Sequence, residues 1–131
     1  MRTLSIGERY SIHSISIARA IRARETLGDV HLVTTDEVLT ELQDGLAQRS
    51  AHLREAATRA VRTILNHRRV TVHPQSRESF LAGLDLYEQR KDKGYSLVDC
   101  ISMTTMRRCS IFKILTNDRH FTQEGFNIVL R

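Results

Sequence analysis

The sequence is poor in the residues that mark linkers and repeats. Its 131 residues include one proline, Pro74, only six glycines and no tryptophan. This scarcity excludes a proline- or glycine-rich linker and a low-complexity tract. The length fits a single domain over residues 1–131, in which the first 14 residues form the least regular stretch.

Long hydrophobic runs are also missing. The uninterrupted apolar runs span only a few residues, far short of the roughly 20 that a membrane helix needs. At the amino end, Met1 and Arg2 are soon followed by Glu8 and Arg9, without the apolar core of a secretory signal. These absences predict a cytoplasmic protein.

The two cysteines indicate neither a disulfide nor a zinc site. Cys100 and Cys109 fall in one predicted helix, where their spacing places them about half a turn out of phase and roughly 13 Å apart along the axis. A disulfide between them would require the helix to unwind. They also lack zinc-type spacing relative to the six histidines. Free, buried thiols are therefore predicted.

Positive charge is in modest excess. Lys and Arg total 20 against 15 for Asp and Glu, a net charge of +5 that slightly favours a polyanionic or acidic partner. The basic candidates for phosphate contacts are Arg54, Arg59, Arg62, Arg68, Arg69, Arg90, Lys91, Lys93, Arg107, Arg108 and Arg119. For most of them a solvated helix face is the alternative. The few aromatic residues do not interleave with these cations as they do in single-strand binders.

Apolar periodicity alternates between the strand and helix repeats from about residue 15 onward. Strands are predicted at 30–34, 69–73, 111–115 and 126–130. Helices are predicted at about 15–28, 35–46, 53–65 and 76–91, and from about 96 through 106 and beyond, with Thr35 as the N-cap of the second. This alternation predicts an α/β fold, a three-layer α/β/α sandwich over a mainly parallel sheet of four or five strands. Sites in such sheets form beyond the carboxyl ends of the strands.

Three carboxylates occupy positions where an acid is not the obvious choice. Glu41 borders the apolar face of its helix, Asp99 lies in the first turn of the helix that begins at Ser96, and Asp118 follows a strand. Carboxylates held together repel each other unless a cation neutralises them, and the natural occupant is a hard divalent ion such as Mg²⁺ or Mn²⁺.

Each acid also has a purely structural interpretation. Ser96 and Asp99 match a capping box, Asp118 can start a turn, and Glu41 can be an ordinary surface residue. Spacing alone leaves both interpretations open. His120 lies beside Asp118, where a packing or substrate-edge role is favoured over acid–base chemistry.

Three segments of the sequence resemble the PIN-domain family, especially the bacterial toxins of VapC type. They are Thr34-Thr-Asp-Glu-Val-Leu-Thr-Glu41-Leu42, Tyr95-Ser-Leu-Val-Asp99-Cys100 and Leu115-Thr-Asn-Asp-Arg-His-Phe121, followed by Gly125-Phe126. The resemblance runs from Val30 to the carboxyl terminus. It implies a PIN-like fold and a metal-dependent endoribonuclease in which Glu41, Asp99 and Asp118 are catalytic and bind Mg²⁺ or Mn²⁺. It also implies an RNA substrate, an antitoxin-like partner and a homodimer.

The amino terminus departs from the family pattern, which opens with a strand that ends in an aspartate, commonly followed by Thr or Ser. Residues 1–6 are predicted to form this strand, which puts Gly7 at the acidic position and Glu8 next. The alternative function is therefore a catalytically impaired module that binds an antitoxin-like protein or RNA without cleavage. The loss of one acid also predicts weak metal binding unless Glu8 or Asp36 supplies a fourth ligand.

The homodimer has a candidate surface in the sequence. Leu53, Ala57, Val61 and Ile64 form an apolar stripe at helical spacing, wide enough to suggest contact beyond the chain itself.

Overall fold

A computed structural model describes residues 9–12, 30–116 and 118–130 of the chain. Its strands are β1 (Arg9–Ile12), β2 (His31–Thr35), β3 (Val70–His73), β4 (Lys113–Leu115) and β5 (Asn127–Leu130). Its helices are α1 (Asp36–Ala47), α2 (Ala51–Asn66), α3 (Arg77–Gln89), α4 (Leu97–Arg108) and α5 (His120–Gln123). The four predicted strands and the four helices predicted after residue 34 are confirmed to within a few residues. The helix predicted at about 15–28 lies outside the described residues.

The five strands form one sheet in the order β3-β2-β1-β4-β5, and every neighbouring pair is parallel. The predicted α/β architecture with a mainly parallel sheet is thus confirmed. The strand order runs outward from β1 in both directions, so the sheet changes winding direction between β1 and β4. In open parallel sheets the crevice at such a switch point, beyond the carboxyl ends of the strands, is where ligands bind.

The first strand lies later in the sequence than predicted. β1 is the central strand, and its last residue, Ile12, pairs with Leu115 of β4. Gly7 and Glu8 precede β1, so neither follows its carboxyl end, and the assignment of Gly7 to the family's acidic position is wrong. The strand predicted over residues 1–6 lies outside the described residues. Because a central parallel strand is covered on both faces, β1 buries Tyr10 and the polar Ser11 alike, which hides the period-two pattern.

Serine and threonine residues begin the four long helices. The side chains of Thr35, Ser50, Ser76 and Ser96 each accept a hydrogen bond from a backbone N–H in the first turn of the helix that follows. Such caps satisfy donors that have no partner within the helix. The Thr35 cap predicted from the sequence is confirmed.

The core lies on both faces of the sheet, as expected for strands whose successive side chains point in opposite directions. Val33 and Ile114 pack with Met103 and Met106 of α4 on one face, and the adjacent Leu32 and Leu115 pack with Tyr10 on the other. Helices α3 and α4 approach each other closely at Gly83, because a Cβ atom there would lie 2.9 Å from the Cα atom of Ile101.

The apolar stripe of α2 is used within the chain. Ala57 and Ile64 are buried, and Leu53 and Val61 are half-buried. The exposed apolar side chains that are grouped on one helix lie instead on α3, at Phe80, Leu81, Leu84 and Tyr87. The stripe predicted on α2 is therefore covered in large part by the chain itself, and the grouped exposed apolar side chains are those of α3.

Both cysteines are free thiols, as predicted, but only Cys100 is fully buried. Cys109 caps the carboxyl end of α4 and is half-buried, with its Sγ atom 3.5 Å from Nε2 of His73. Among the residues that the structure describes, no helix is long and apolar enough to cross a membrane.

Candidate functional site

Residues from two different elements meet beyond the carboxyl end of β4. Asp99 comes from the first turn of α4, while Asp118 and His120 come from the connection between β4 and α5. One potential ligand atom from each of the three lies within 4.8 Å of the others. Because the carboxyl end of β1 is paired with that of β4, this cluster lies at the switch point of the sheet.

Asp99 has two roles in this arrangement. Its Oδ2 atom accepts a hydrogen bond of 3.1 Å from the backbone N–H of Ser96, and its own N–H donates to the Ser96 hydroxyl at 3.0 Å. The predicted capping box therefore exists, and its carboxylate also belongs to the cluster. The side chain is only 9% exposed. The capping box holds the Asp99 carboxylate beside Asp118 and His120. Asp99 is therefore both a capping residue and a member of the cluster.

Asp118 is held by two local hydrogen bonds. Its backbone N–H donates to the buried hydroxyl of Thr116 at 3.0 Å, and its Oδ1 atom accepts from the backbone N–H of His120 at 2.9 Å. Side chains of Thr and Asp commonly stabilise turns in this way. The turn leads directly into α5 and orients the Asp118 carboxylate before any ligand binds.

His120 was not predicted as a member of the cluster. Its Nδ1 atom lies 3.2 Å from Oδ1 of Asp118 and 3.9 Å from Oδ2 of Asp99. The ring of Tyr95 packs against the imidazole with 5.4 Å between centroids. The sequence did contain a signal, since a histidine two residues after a strand-end aspartate lies within reach of that carboxylate, but periodicity gives no information about its direction.

Glu41 lies outside this cluster. It is exposed on α1, where it lines a groove of about 470 Å³. The same groove is lined by Val98, the residue before Asp99 in the neighbouring helix α4. Its predicted catalytic role stays a prediction. Asp36, considered as a further ligand, instead accepts a hydrogen bond of 2.9 Å from the backbone N–H of Gln75 through its Oδ2 atom.

Glu124 is a buried carboxylate that the sequence analysis missed. It is linked to the site through Tyr95, whose ring packs against His120. Glu124 is 5% exposed at its side chain and accepts hydrogen bonds from Arg90, Arg107 and Tyr95. Burial alone would raise the pKa of this carboxyl, but its three donors outweigh burial and lower the pKa to about 2. Burial and the bond to Glu124 raise the pKa of Tyr95 to about 12. Nothing in the local pattern marks Glu124, because its partners lie on distant segments.

The hydrogen-bonded network of Glu124 includes two arginines for which the sequence suggested another role. Arg90 and Arg107 were candidates for phosphate contacts, yet each forms an ion pair with Glu124 at 2.9 Å. Arg119 remains a candidate, since it is exposed between Asp118 and His120. It lines a cavity of about 520 Å³ together with Thr116 and Asn127.

A tight turn follows α5, the short helix that begins at His120. Gly125 has a φ of +89°, a value that favours glycine, and the N–H groups of Gly125 and Phe126 bond back to the carbonyls of Thr122 and Phe121. The Phe121 and Phe126 rings pack edge to face, with centroids 6.0 Å apart. This apolar contact fixes the short helix that carries His120.

The sequence matches the pattern of the PIN domain over residues 12–126. The chain belongs to the PIN domain family. The match starts at the last residue of β1 and covers the three cluster residues. A comparison with curated proteins gave no match.

A solved structure supports the fold of this PIN domain. The chain is similar to the Mycobacterium tuberculosis toxin VapC20, described as cleaving the sarcin–ricin loop, with a TM-score of 0.77 and 21% sequence identity. The similarity covers 92% of this chain and 99% of VapC20. At this level of identity, the comparison establishes the common fold.

The structure shows which residues lie at the end of the first strand, where the family pattern has an acid. PIN domains open with a strand that ends in an aspartate followed by Thr or Ser. In this chain, the residues that follow β1 in the sequence are His13 and Ser14. Ile12, the last residue of β1, is not acidic either, so the departure from the family pattern lies at the end of β1 and not at Gly7.

Proposed function

We propose that this PIN domain is a metal-dependent endoribonuclease of VapC type that hydrolyses RNA phosphodiester bonds. The observation that carries the proposal is the cluster of Asp99, Asp118 and His120 at the switch point of a PIN fold. PIN domains generally use a divalent metal ion, and the donor set of two carboxylates and an imidazole suits one. The buried Nδ1 atom of His120, which has no hydrogen-bond partner within the described part of the chain, also fits a cation at this point.

The proposed chemistry divides between the cluster and its surroundings. Asp99 and Asp118 hold the ion, which is Mg²⁺ or Mn²⁺ by family resemblance. When bound, such an ion supplies a Lewis acid that activates water and stabilises charge on the phosphate. Glu41, in the groove that Val98 also lines, has the proposed role of orienting the attacking water. Arg119 binds the RNA backbone beside the cluster.

The test is RNA cleavage by variants that remove one carboxylate charge at a time. We expect the Asp99→Asn and Asp118→Asn proteins to lose most of the Mn²⁺-dependent cleavage, and Glu41→Gln to lose part of it. Asp92→Asn is the matched control, because Asp92 is exposed beyond the end of α3 and outside the cluster. Equal cleavage by the wild type and both cluster variants would show a contaminating nuclease and refute the proposal.

One observation favours the alternative, a PIN module that binds without cleaving. Neither Ile12 at the end of β1 nor His13 after it is acidic, so the acid with which the family's first strand ends is missing here. The decisive variant is His13→Asp, which takes the place of a change at Gly7. A gain of Mn²⁺-dependent cleavage over an inactive wild type would support the alternative, whereas strong cleavage by the wild type would reject it.

We also propose that the chain forms a homodimer through α3. Arg77, Leu81, Leu84 and Glu88 lie on one exposed face of this helix at spacings of three and four residues. In an antiparallel pairing of two copies, Leu81 meets Leu84 of the partner subunit, and Arg77 meets the oppositely charged Glu88. This self-complementarity makes a second copy the fitting occupant of the exposed surface.

Light scattering at tens of micromolar tests the dimer. Leu84→Glu should give a monomer, because it places a charge at the centre of the contact. Leu65→Glu is the control, since Leu65 is also an exposed leucine but lies on α2. A wild-type monomer, or a dimer that survives Leu84→Glu, would exclude this surface.

An antitoxin-like protein is the further partner that we propose. The groove beside Glu41 is also lined by Glu37 and Asp44, so it suits a basic segment. We expect a segment rich in arginine to bind there with an affinity that falls as salt rises. Unchanged binding in the Glu37→Gln/Asp44→Asn double variant would place the partner elsewhere.

A further inference from the structure

The ring of His120 packs against a hydrogen-bonded network centred on the buried carboxylate of Glu124. Tyr95 packs on the imidazole, and the Tyr95 hydroxyl donates to Oε2 of Glu124 at 3.0 Å. Glu124 is fixed in turn by Arg90 from the end of α3 and Arg107 from the end of α4. The imidazole is thus positioned by three separate segments, although 39% of its side chain is exposed.

This orientation directs one nitrogen into the cluster. The Nδ1 atom is buried and lies 3.2 Å from Oδ1 of Asp118 and 3.9 Å from Oδ2 of Asp99. It makes no hydrogen bond to any part of the protein that the structure describes. The nearby Oδ1 atom of Asp118 already accepts from the backbone N–H of His120.

A buried nitrogen that makes no hydrogen bond costs free energy that a bound ligand can recover. An anion is excluded as that ligand, because two carboxylates face the same point. A cation that accepts nitrogen as well as oxygen satisfies all three groups together. Imidazole is a good ligand for transition ions and a poor one for Mg²⁺, which prefers oxygen.

We infer that His120 is a nitrogen ligand of the ion that Asp99 and Asp118 bind, and that the site therefore selects first-row transition ions over Mg²⁺. This inference rests on the proposed function, since it concerns the ion of the same site. It assigns to His120 a metal-binding role in place of the packing or substrate-edge role favoured by the sequence.

Pulsed electron paramagnetic resonance of added Mn²⁺ tests the inference without any activity measurement. Mn²⁺ is the stringent probe, because it is the weakest binder in the transition series. We expect the bound ion to show hyperfine coupling to a nitrogen nucleus in the wild type. The coupling should disappear in His120→Gln and persist in His52→Gln, a matched change at an exposed histidine of α2.

Calorimetric titration provides the second readout. In His120→Gln, we expect the Mn²⁺ dissociation constant to rise by at least about tenfold. Even a mutation of a residue that only hydrogen-bonds to a metal ligand typically weakens metal binding by about this factor. The Mg²⁺ constant should barely change. Circular dichroism checks folding, and His120→Asn replaces the Gln variant if that variant does not fold.

Three results would overturn the inference. They are the absence of nitrogen coupling in the wild type, coupling that survives in His120→Gln but is lost in His13→Gln, and an equal loss of Mn²⁺ and Mg²⁺ affinity. If Asp118→Asn still abolishes RNA cleavage when the wild type shows no nitrogen coupling, only the inference about His120 fails. If the nitrogen coupling is present but cleavage does not depend on Asp118, the inference stands and the proposed ribonuclease function fails.

Discussion

Tyr95 donates a hydrogen bond of 3.0 Å to Glu124 across 29 residues of sequence, and this bond connects the ion pairs of Glu124 to the ring of His120. We therefore expect the carboxylate of Glu124 to affect both the stability of the fold and the position of the His120 ring. Glu124 joins the ends of α3 and α4 to the turn after α5.

Removing the charge of Glu124 should destabilise the protein. We expect Glu124→Gln to lower the free energy of unfolding by about 2–4 kcal/mol, because it leaves two arginines without their carboxylate. Urea denaturation measures the change. Tyr95→Phe keeps the ring beside His120 and should cost only about 1 kcal/mol, the value of one hydrogen bond. Equal losses in the two variants would contradict the central position of Glu124.

The low pKa of Glu124 predicts a specific acid sensitivity. Its pKa falls from 4.5 to about 2 on folding, so the folded state binds fewer protons than the unfolded state between these values. The contribution of Glu124 is complete above about pH 4.5 and is lost as the pH falls toward 2, amounting to roughly 3 kcal/mol. Unfolding measured from pH 6 to pH 2 should show a shallower loss in Glu124→Gln, and parallel curves would contradict the prediction.

Two glycines in helices should respond to alanine in opposite ways. Gly83→Ala should destabilise by about 1–3 kcal/mol, because its Cβ would lie 2.9 Å from the Ile101 backbone. Gly45→Ala should stabilise by about 0.5–1 kcal/mol, because nothing lies within 4 Å of that position and alanine favours the helix. Thermal unfolding of the two variants checks the pair. A neutral Gly83→Ala would mean that α3 and α4 pack less tightly than described.

The two thiols should differ in reactivity. Burial raises the pKa of Cys100 to about 11, so at pH 8 almost none of it is the reactive thiolate. Cys109 is half-buried and more accessible. A thiol reagent should modify one cysteine in the native protein and two in denaturant, and Cys109→Ser should remove the rapid reaction. Rapid modification of Cys100 in folded protein would contradict its burial.

Removing Arg119 should weaken RNA binding. Arg119→Ala deletes a cation beside the cluster, so the salt dependence of RNA affinity should decrease by about one counterion. Filter binding at several salt concentrations measures this slope. Arg49→Ala, at an exposed position between α1 and α2, is the control and should leave it nearly unchanged. Equal effects of the two changes would indicate diffuse electrostatic binding.

Local patterns in the sequence predicted most of the fold. Helix caps such as Thr35 and Ser96 depend only on residues close to them in the sequence. The same is true of the alternating pattern in the strands after residue 30, so both could be predicted. β1 was misplaced because a central strand buries polar Ser11 as well as Tyr10, which removes the alternation.

The site was predictable only in part. Asp99 and Asp118 were found because the family pattern marks them, and the structure brings them together. Glu124 and the direction of His120 were missed, since both depend on contacts between segments far apart in the sequence. Tertiary packing, which local periodicity does not encode, decides such positions.

The most direct test of the central claim is the cleavage of a labelled RNA by wild-type and Asp118→Asn proteins, first stripped of metal and then supplied with Mn²⁺. The account predicts that chelation abolishes cleavage and that Mn²⁺ restores it in the wild type but not in Asp118→Asn. Cleavage that survives chelation, or that Mn²⁺ restores equally in both proteins, would contradict the claim that this cluster makes the chain a ribonuclease.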